Sequence, residues 1–393
     1  MTAVRTPSRV AAAALLLAVL GAVTGCGRAQ VPHASAPVPA SSVGPTAEGA
    51  PAVAGAPAAD GSPTVAAPTS LVLVTARPTH TDAATAAAVD AVRGVANDLG
   101  AHLQLLQSTS PDALPETMAR ALALSPDLVV GVSDEVLTAF DATAAANLDQ
   151  QFLLVDATPP EPTDNLTAVG FREHETTYLA GVEAAVLSRT GVVGVVAPQD
   201  DIWGNGWTAP FADGVRSVGG RGAVVRTGYA SSAADLSAVG PRAGIARRAA
   251  RAAGRLTTAS PGADVVASVA LGRAGDLSDD VARGALGRSG ALVLTTSYGP
   301  SSRSCTAAPG RIADDVVRHL DVVTRLGIAE VLAGRTGTTT AYGLAEGALS
   351  LASMDGQSAC AATGDREAVG ALARARAQIV SGAAVVADPD VVS

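Results

Sequence analysis

Three aromatic residues fall within nine positions in the stretch Trp203-Gly204-Asn205-Gly206-Trp207-Thr208-Ala209-Pro210-Phe211, in a chain where aromatics make up only 3% of the residues. The stretch follows a predicted core strand, at the carboxyl end where an open α/β sheet takes its ligands, and aromatic faces stack well on a flat solute. Two readings are open for them. Trp203, Trp207 and Phe211 form stacking walls, or Phe211 anchors its helix while the tryptophans close the loop over a small apolar patch. Gly204 to Ala209 also comes close to the G-x-G-x-x-A dinucleotide turn. It starts several residues after the strand, and the acid expected about 20 residues on is missing, so no cofactor is expected.

Other chemistries are excluded by what the chain lacks. No lysine occurs, and all 27 basic residues are arginine. That removes a Walker P-loop, a Ser-x-x-Lys nucleophile and a Schiff-base lysine. No G-x-S-x-G elbow is present, and the histidines at 33, 80, 102, 174 and 319 are scattered without ligand spacing, so neither an enzyme nor a metal centre is expected. A net charge of -9 argues against nucleic acid as a partner. Arg247, Arg248, Arg251 and Arg255 read as a solvated helix face.

Before any of this chemistry comes a targeting segment. Arg5 and Arg9 precede an apolar run, Val10 to Val23, that is too short to span a bilayer. Val23-Thr24-Gly25-Cys26 resembles a bacterial lipobox, which implies a signal peptide over 1–25 and lipidation of Cys26 as a membrane anchor. Residues 26–69 are rich in Ala, Pro, Ser and Gly and are expected to form an extended tether. Cys26 aside, Cys305 and Cys360 remain. In an exported protein two cysteines make a disulfide, with a free-thiol or metal pair as the alternative.

From Leu71 the chain alternates short apolar runs with helical periodicity. LVLVT, LQLLQ, LVVGV, FLLVD and TAVGF are predicted strands of one unit, and VVGVVA, AVVRTG, DVVASVA and ALVLTT of a second. This βαβ pattern predicts two doubly wound parallel sheets with a cleft between them. Tyr178, Leu179, Val182 and Val186 share one helical stripe, and Gly181 within it points to a close backbone neighbour. Asp314 to Leu332 reads as one helix with acids at its positive end, and Arg366 to Ser381 as another ended by Gly382.

The segment FREHETTYLAGVEAAVLSRTGVVGVVAP, residues 171 to 198, resembles the hinge motif of the basic membrane lipoprotein family, F-x-E-x-E-G-S-Y-L-A-G followed by a strand, with Thr176-Thr177 in place of Gly-Ser. The resemblance covers most of residues 71 to 390. It implies a type I periplasmic-binding-protein fold crossed three times by the chain, and a monomeric substrate-binding lipoprotein of an ABC importer on the extracytoplasmic face of the cell membrane. Characterised members bind purine nucleosides. By the same resemblance Phe211 stands near the nucleobase. The later crossings are expected near 311–316 and 338–343. Lobe one is then about 70–172 plus about 314–340, and lobe two about 173–313 plus about 341–393.

The binding loops depart from the family pattern. THTDAATAAAVD keeps Asp82 but has neither the Phe nor the Asn of the family loop, Ser297-Tyr298 stands where an aspartate pairs with ribose, and Arg318 replaces a lysine. Losing a buried carboxylate from a sugar diol costs roughly 1.5 to 3 kcal/mol. The expectation is a small ligand, a nucleoside among the candidates, held by the aromatic walls with Asp82, Arg172, Tyr298 and Arg318 as polar contacts, and delivered to an ABC permease. The alternative is a degenerate binding fold that serves in envelope interaction or sensing with no transported ligand.

Overall fold

The computed structural model describes residues 70–81, 83–197, 206–219, 223–229, 242–268, 281–282, 284–285, 290–298, 304–355 and 358–388. In chain order the main elements are β1 (Ser70–Thr75), α1 (Ala83–Leu99), β2 (His102–Gln107), α2 (Leu114–Ala123), β3 (Leu128–Val132), α3 (Leu137–Ala146), β4 (Phe152–Val155) and β5 (Leu166–Phe171). There follow α4 (Glu173–Leu187), β6 (Val192–Ala197), α5 (Gly206–Ser217), β7 (Val224–Tyr229), α6 (Arg242–Thr258), β8 (Val265–Ser268), β9 (Leu292–Tyr298) and the short α7 (Ser304–Ala307). The chain closes with β10 (Ile312–Arg318), α8 (Leu320–Leu332), β11 (Thr339–Tyr342), β12 (Leu349–Leu351) and α9 (Arg366–Val380).

These strands form two six-stranded sheets, in the orders β11-β5-β4-β3-β1-β2 and β12-β10-β9-β8-β6-β7. All pairings are parallel except that of β12 with β10. The central strands β1, β3, β4 and β6 are apolar on both faces because helices cover both. Leu71 and Leu73 pack with α1 and α8, whereas Val72 and Val74 pack with α2 and α3. In the second sheet Val192 and Val196 meet α6, and Val193, Val195 and Ala197 meet α4 and α5. This is the two-lobed α/β architecture that the run-and-helix pattern predicts.

The stretch expected as one helix from Asp314 to Leu332 is instead a strand, β10, followed by a helix, α8. Two acids in the middle of a sheet are sustained by side-chain donors that no local pattern reveals. Asp315 accepts from Thr295 Oγ1 and Ser297 Oγ on β9, both at 2.7 Å, and Asp314 accepts from the Ser353 amide at 2.8 Å and from its hydroxyl. Because β10 belongs to the second sheet, the chain's second passage falls at His319, not at 311–316, and residues 314–318 lie in lobe two. The third passage covers 343–348, between β11 of the first sheet and β12 of the second.

Cys305 and Cys360 are joined in a disulfide across 55 residues of sequence and buried in the apolar layer of the second sheet. Closing such a loop is worth roughly 4 kcal/mol on the chain-entropy model.

α4 is buried along nearly its whole length, and Gly181 explains how. A Cβ at Gly181 would overlap the carbonyl oxygen of Phe211 on α5, and a Cβ at Gly214 would overlap that of Tyr178 on α4. The two helices therefore touch backbone to backbone through a reciprocal pair of glycines. We expect Gly181→Ala to lower the unfolding free energy by about 1 to 3 kcal/mol, since the helices must move apart, as read from the urea midpoint. A midpoint equal to that of the unaltered chain would refute the contact.

Two residues after Gly181, Glu183 is wholly buried, and neither carboxyl oxygen has a hydrogen-bond partner among the described residues. Burial, reinforced by Asp314 and Asp365, holds its pKa well above the ordinary glutamate value. The folded chain therefore keeps a proton that the unfolded chain gives up above about pH 4.5. Folding stability falls as pH rises from that point toward the folded pKa. Glu183→Gln should gain on the unaltered chain by up to about 1.4 kcal/mol per pH unit within that window. Urea unfolding at pH 5 and pH 7 measures it, and parallel pH profiles for the two chains would contradict it.

Candidate functional site

The carboxyl ends of β4, β9 and β10 converge where the lobes meet. Arg318 ends β10 and Tyr298 ends β9, and the two are register partners on adjacent parallel strands. Arg318 Nη1 donates to the Tyr298 hydroxyl at 2.7 Å, and that hydroxyl donates to Asp156 Oδ2 at 2.8 Å. Asp156 follows β4, so this second bond joins the second lobe to the first. The guanidinium carbon also sits 5.1 Å from the Tyr298 ring centroid, and the ring packs on the apolar cluster of the first lobe.

Arg318 is only 3% exposed, and a buried cation needs anions. Glu173, in the first turn of α4, pairs with Nη2, and Asp156 Oδ2 lies 3.8 Å from Nη1. Burial works against the charge, but Glu173 first, then Tyr298 and Asp156, more than offset it and raise the pKa. Burial also raises the Tyr298 phenol well above its usual value, against the pull of Arg318, with the carboxylates of Asp156 and Glu173 adding to the rise. The phenol is therefore a firm hydrogen-bond donor at any physiological pH.

Arg318 Nε is buried without a hydrogen-bond partner among the described residues. Arg318 lines a small pocket between α4 and the second sheet, together with Thr176, Ala180, Ser268, Thr295 and Thr296. Its volume is about 30 Å³, room for a water molecule or two.

Asp156 holds a left-handed backbone, φ 56°, and Ser133 at the end of the neighbouring β3 has φ 80°. Such strain in non-glycine residues concentrates at ligand-facing turns, and aspartate tolerates it better than most.

Of the residues singled out by sequence, Tyr298 and Arg318 come together here. Arg172 does not join them. Its Nε donates to Glu175 at 2.6 Å, its Nη1 to the Ala341 carbonyl at 2.8 Å and its Nη2 to Glu346 at 2.6 Å, so it clasps the first passage of the chain to the third. Glu175 in turn accepts from the Leu344 amide at 2.8 Å. Arg172 is thus a hinge residue rather than a ligand contact, because its donors are engaged by the chain itself.

Phe211 is not a stacking wall. Its ring is fully buried with Ala184, Val195 and Leu294 in the core of the second lobe, where the close α4–α5 contact draws it inward. Trp207 stands in the first turn of α5. Trp203, Asp82 and Cys26 lie outside the described residues. Sequence reasoning missed Asp156 and Glu173, although FLLVD set an acid at a core strand's carboxyl end and the hinge motif contains Glu173.

Residues 72–239 match the family model described as Bmp, ABC transporter substrate-binding protein PnrA-like. The CD4+ T-cell-stimulating antigens of Listeria monocytogenes and Listeria innocua are each 28% identical over 113 residues, 29% of this chain. The chain thus spans about a third, 31%, of the length of these curated relatives. Among solved structures, an ABC transporter solute-binding protein from Aeropyrum pernix K1 aligns with TM-score 0.60 at 19% identity, over 81% of this chain and 94% of that one. One from Conexibacter woesei aligns with TM-score 0.57 at 18% identity, over 82% and 99%. A transcriptional activator of the comK gene from Bacillus halodurans aligns with TM-score 0.60 at 15% identity, over 80% and 98%, so the fold itself is shared by proteins described as having different roles. Over residues 72–239, less than half of its length, the chain is thus similar to the Bmp family, the PnrA-like substrate-binding proteins of ABC transporters.

Proposed function

We propose that this chain is the extracytoplasmic solute-binding component of an ABC importer, anchored by a lipid on Cys26 and handing a small polar solute to its permease. The observation that carries the reading is Arg318, a buried cation at the carboxyl end of β10 that reaches Asp156 of the first lobe through Tyr298 and keeps one N–H without a partner among the described residues. The family match and the two-lobed fold support it. On this reading the solute lies between the lobes and touches Arg318, Tyr298 and Asp156. The cluster carries two carboxylates against one guanidinium, which favours a neutral or donor-rich solute, a nucleoside or sugar, over an anion. Among the described residues no helix is long and apolar enough to cross a membrane. The lobes comprise residues 70–172 with 320–342, and 173–318 with 349–388.

A second reading has an observation of its own. Asp156, Tyr298, Arg318 and Glu173 pair with one another, and the pocket beside Arg318 among the described residues holds only about 30 Å³. That favours an envelope interaction or sensing protein with no transported solute.

A thermal-shift panel of nucleosides, nucleobases, sugars and amino acids on the purified full chain separates the two. One class should raise the unfolding midpoint, by about 2.7 kcal/mol of added stability at a hundredfold over its Kd, and Arg318→Met should abolish the gain. A panel without any shift overturns the transport reading.

A further inference from the structure

The Tyr298 hydroxyl does at once the two things a solute hydroxyl would do at this site. It donates to Asp156 of the first lobe and accepts from Arg318 of the second, at 2.8 and 2.7 Å. The phenol reaches this place from the end of β9 because its ring is seated on apolar residues of the first lobe, in the cluster that contains Leu73, Val130 and Val155. Tyr298 therefore crosses the lobe boundary twice over, once with its ring and once with its hydroxyl. Arg318 is fixed behind it by Glu173 on α4, the helix that begins at the first passage between the lobes.

We propose that Tyr298 and Asp156 form a latch that holds the two lobes together in the absence of solute, with the Tyr298 phenol occupying the position of a bound hydroxyl. In a simple two-lobed receptor the solute bridges an otherwise open cleft, and closure reports occupancy. Here the chain supplies the bridge. A solute must first displace the phenol from Asp156, so its apparent affinity is lowered by the fraction of molecules that are unlatched. A hydroxyl-bearing solute restores both bonds that the phenol gives up, whereas a carboxylate meets Asp156 as a like charge.

Asp156 supports this role by its backbone. At φ 56° it turns its side chain out of the strand direction of β4, and its amide remains bonded to the Val169 carbonyl at 2.8 Å. The first lobe thus presents a rigidly held acceptor, and the second lobe presents a phenol backed by a cation.

The inference rests on the reading of this cleft as the solute site, but its test uses no solute, so it stands or fails separately from the binding panel. Hydrogen exchange followed by mass spectrometry on the full chain compares peptides covering 152–158 and 292–298 with a remote peptide covering 114–123 in α2. Tyr298→Phe keeps the ring and removes only the bridging hydroxyl. Both cleft peptides should exchange about tenfold faster together, the loss of one hydrogen bond to a charged group, while the α2 peptide is unchanged. Asp156→Ala removes the acceptor from the first lobe and should give the same paired acceleration if Tyr298→Phe folds poorly. Unchanged cleft exchange, acceleration confined to one lobe, or equal acceleration in α2 would each overturn the latch.

Discussion

A guanidinium buried to 3% exposure is the constraint on which the junction of the lobes depends. Arg318 cannot sit at the end of a core strand unless carboxylates come to it, and they come from different parts of the chain. Glu173 arrives on α4 and Asp156 arrives from the first lobe, with Tyr298 between them. Each of these groups is positioned by something else. Glu173 is placed by a helix that must pack tightly on α5, Asp156 by a strained turn, and Tyr298 by its parallel register with Arg318. One charge thereby fixes the relation between a helix, two strand ends and a loop.

α4 carries two duties that pull in different directions. Its first turn must present acids to Arg318 and Arg172, while its later turns lie buried between α5, α9 and the second sheet. The glycine pair at 181 and 214 reconciles them by letting α5 approach to backbone contact. Glu183 is the residual difficulty of that burial, a neutral acid enclosed near Asp314 and Asp365.

The two sheets were legible in the sequence because strands covered on both faces read as continuous apolar runs, and LVLVT, FLLVD and VVGVVA are such runs. β10 was not legible, since Asp314 and Asp315 look like a helix start until Thr295, Ser297 and Ser353 are seen to satisfy them. β11 and β12 are short, and TTAY and LSL carry no pattern that a loop could not carry. Of the site, Tyr298 and Arg318 came from resemblance to a family motif. Phe211 stands out both by the local aromatic cluster and by the resemblance, and Arg172 as a polar side chain of the hinge motif, but burial of the first and hinge bonding of the second give them different work. Asp156 was hidden by being one acid among many, distinguished only by a backbone angle.

The bond between Cys305 and Cys360 encloses the second and third passages of the chain between the lobes, together with all of α8 and β11. The part of the first lobe that comes from late in the sequence is therefore a covalent ring mounted on the second lobe. A single backbone cut within that ring leaves the molecule in one piece, with both ends of the excursion still held at the same edge of the second sheet. The ring thus secures the second and third passages between the lobes, though not the first, against a single backbone cut.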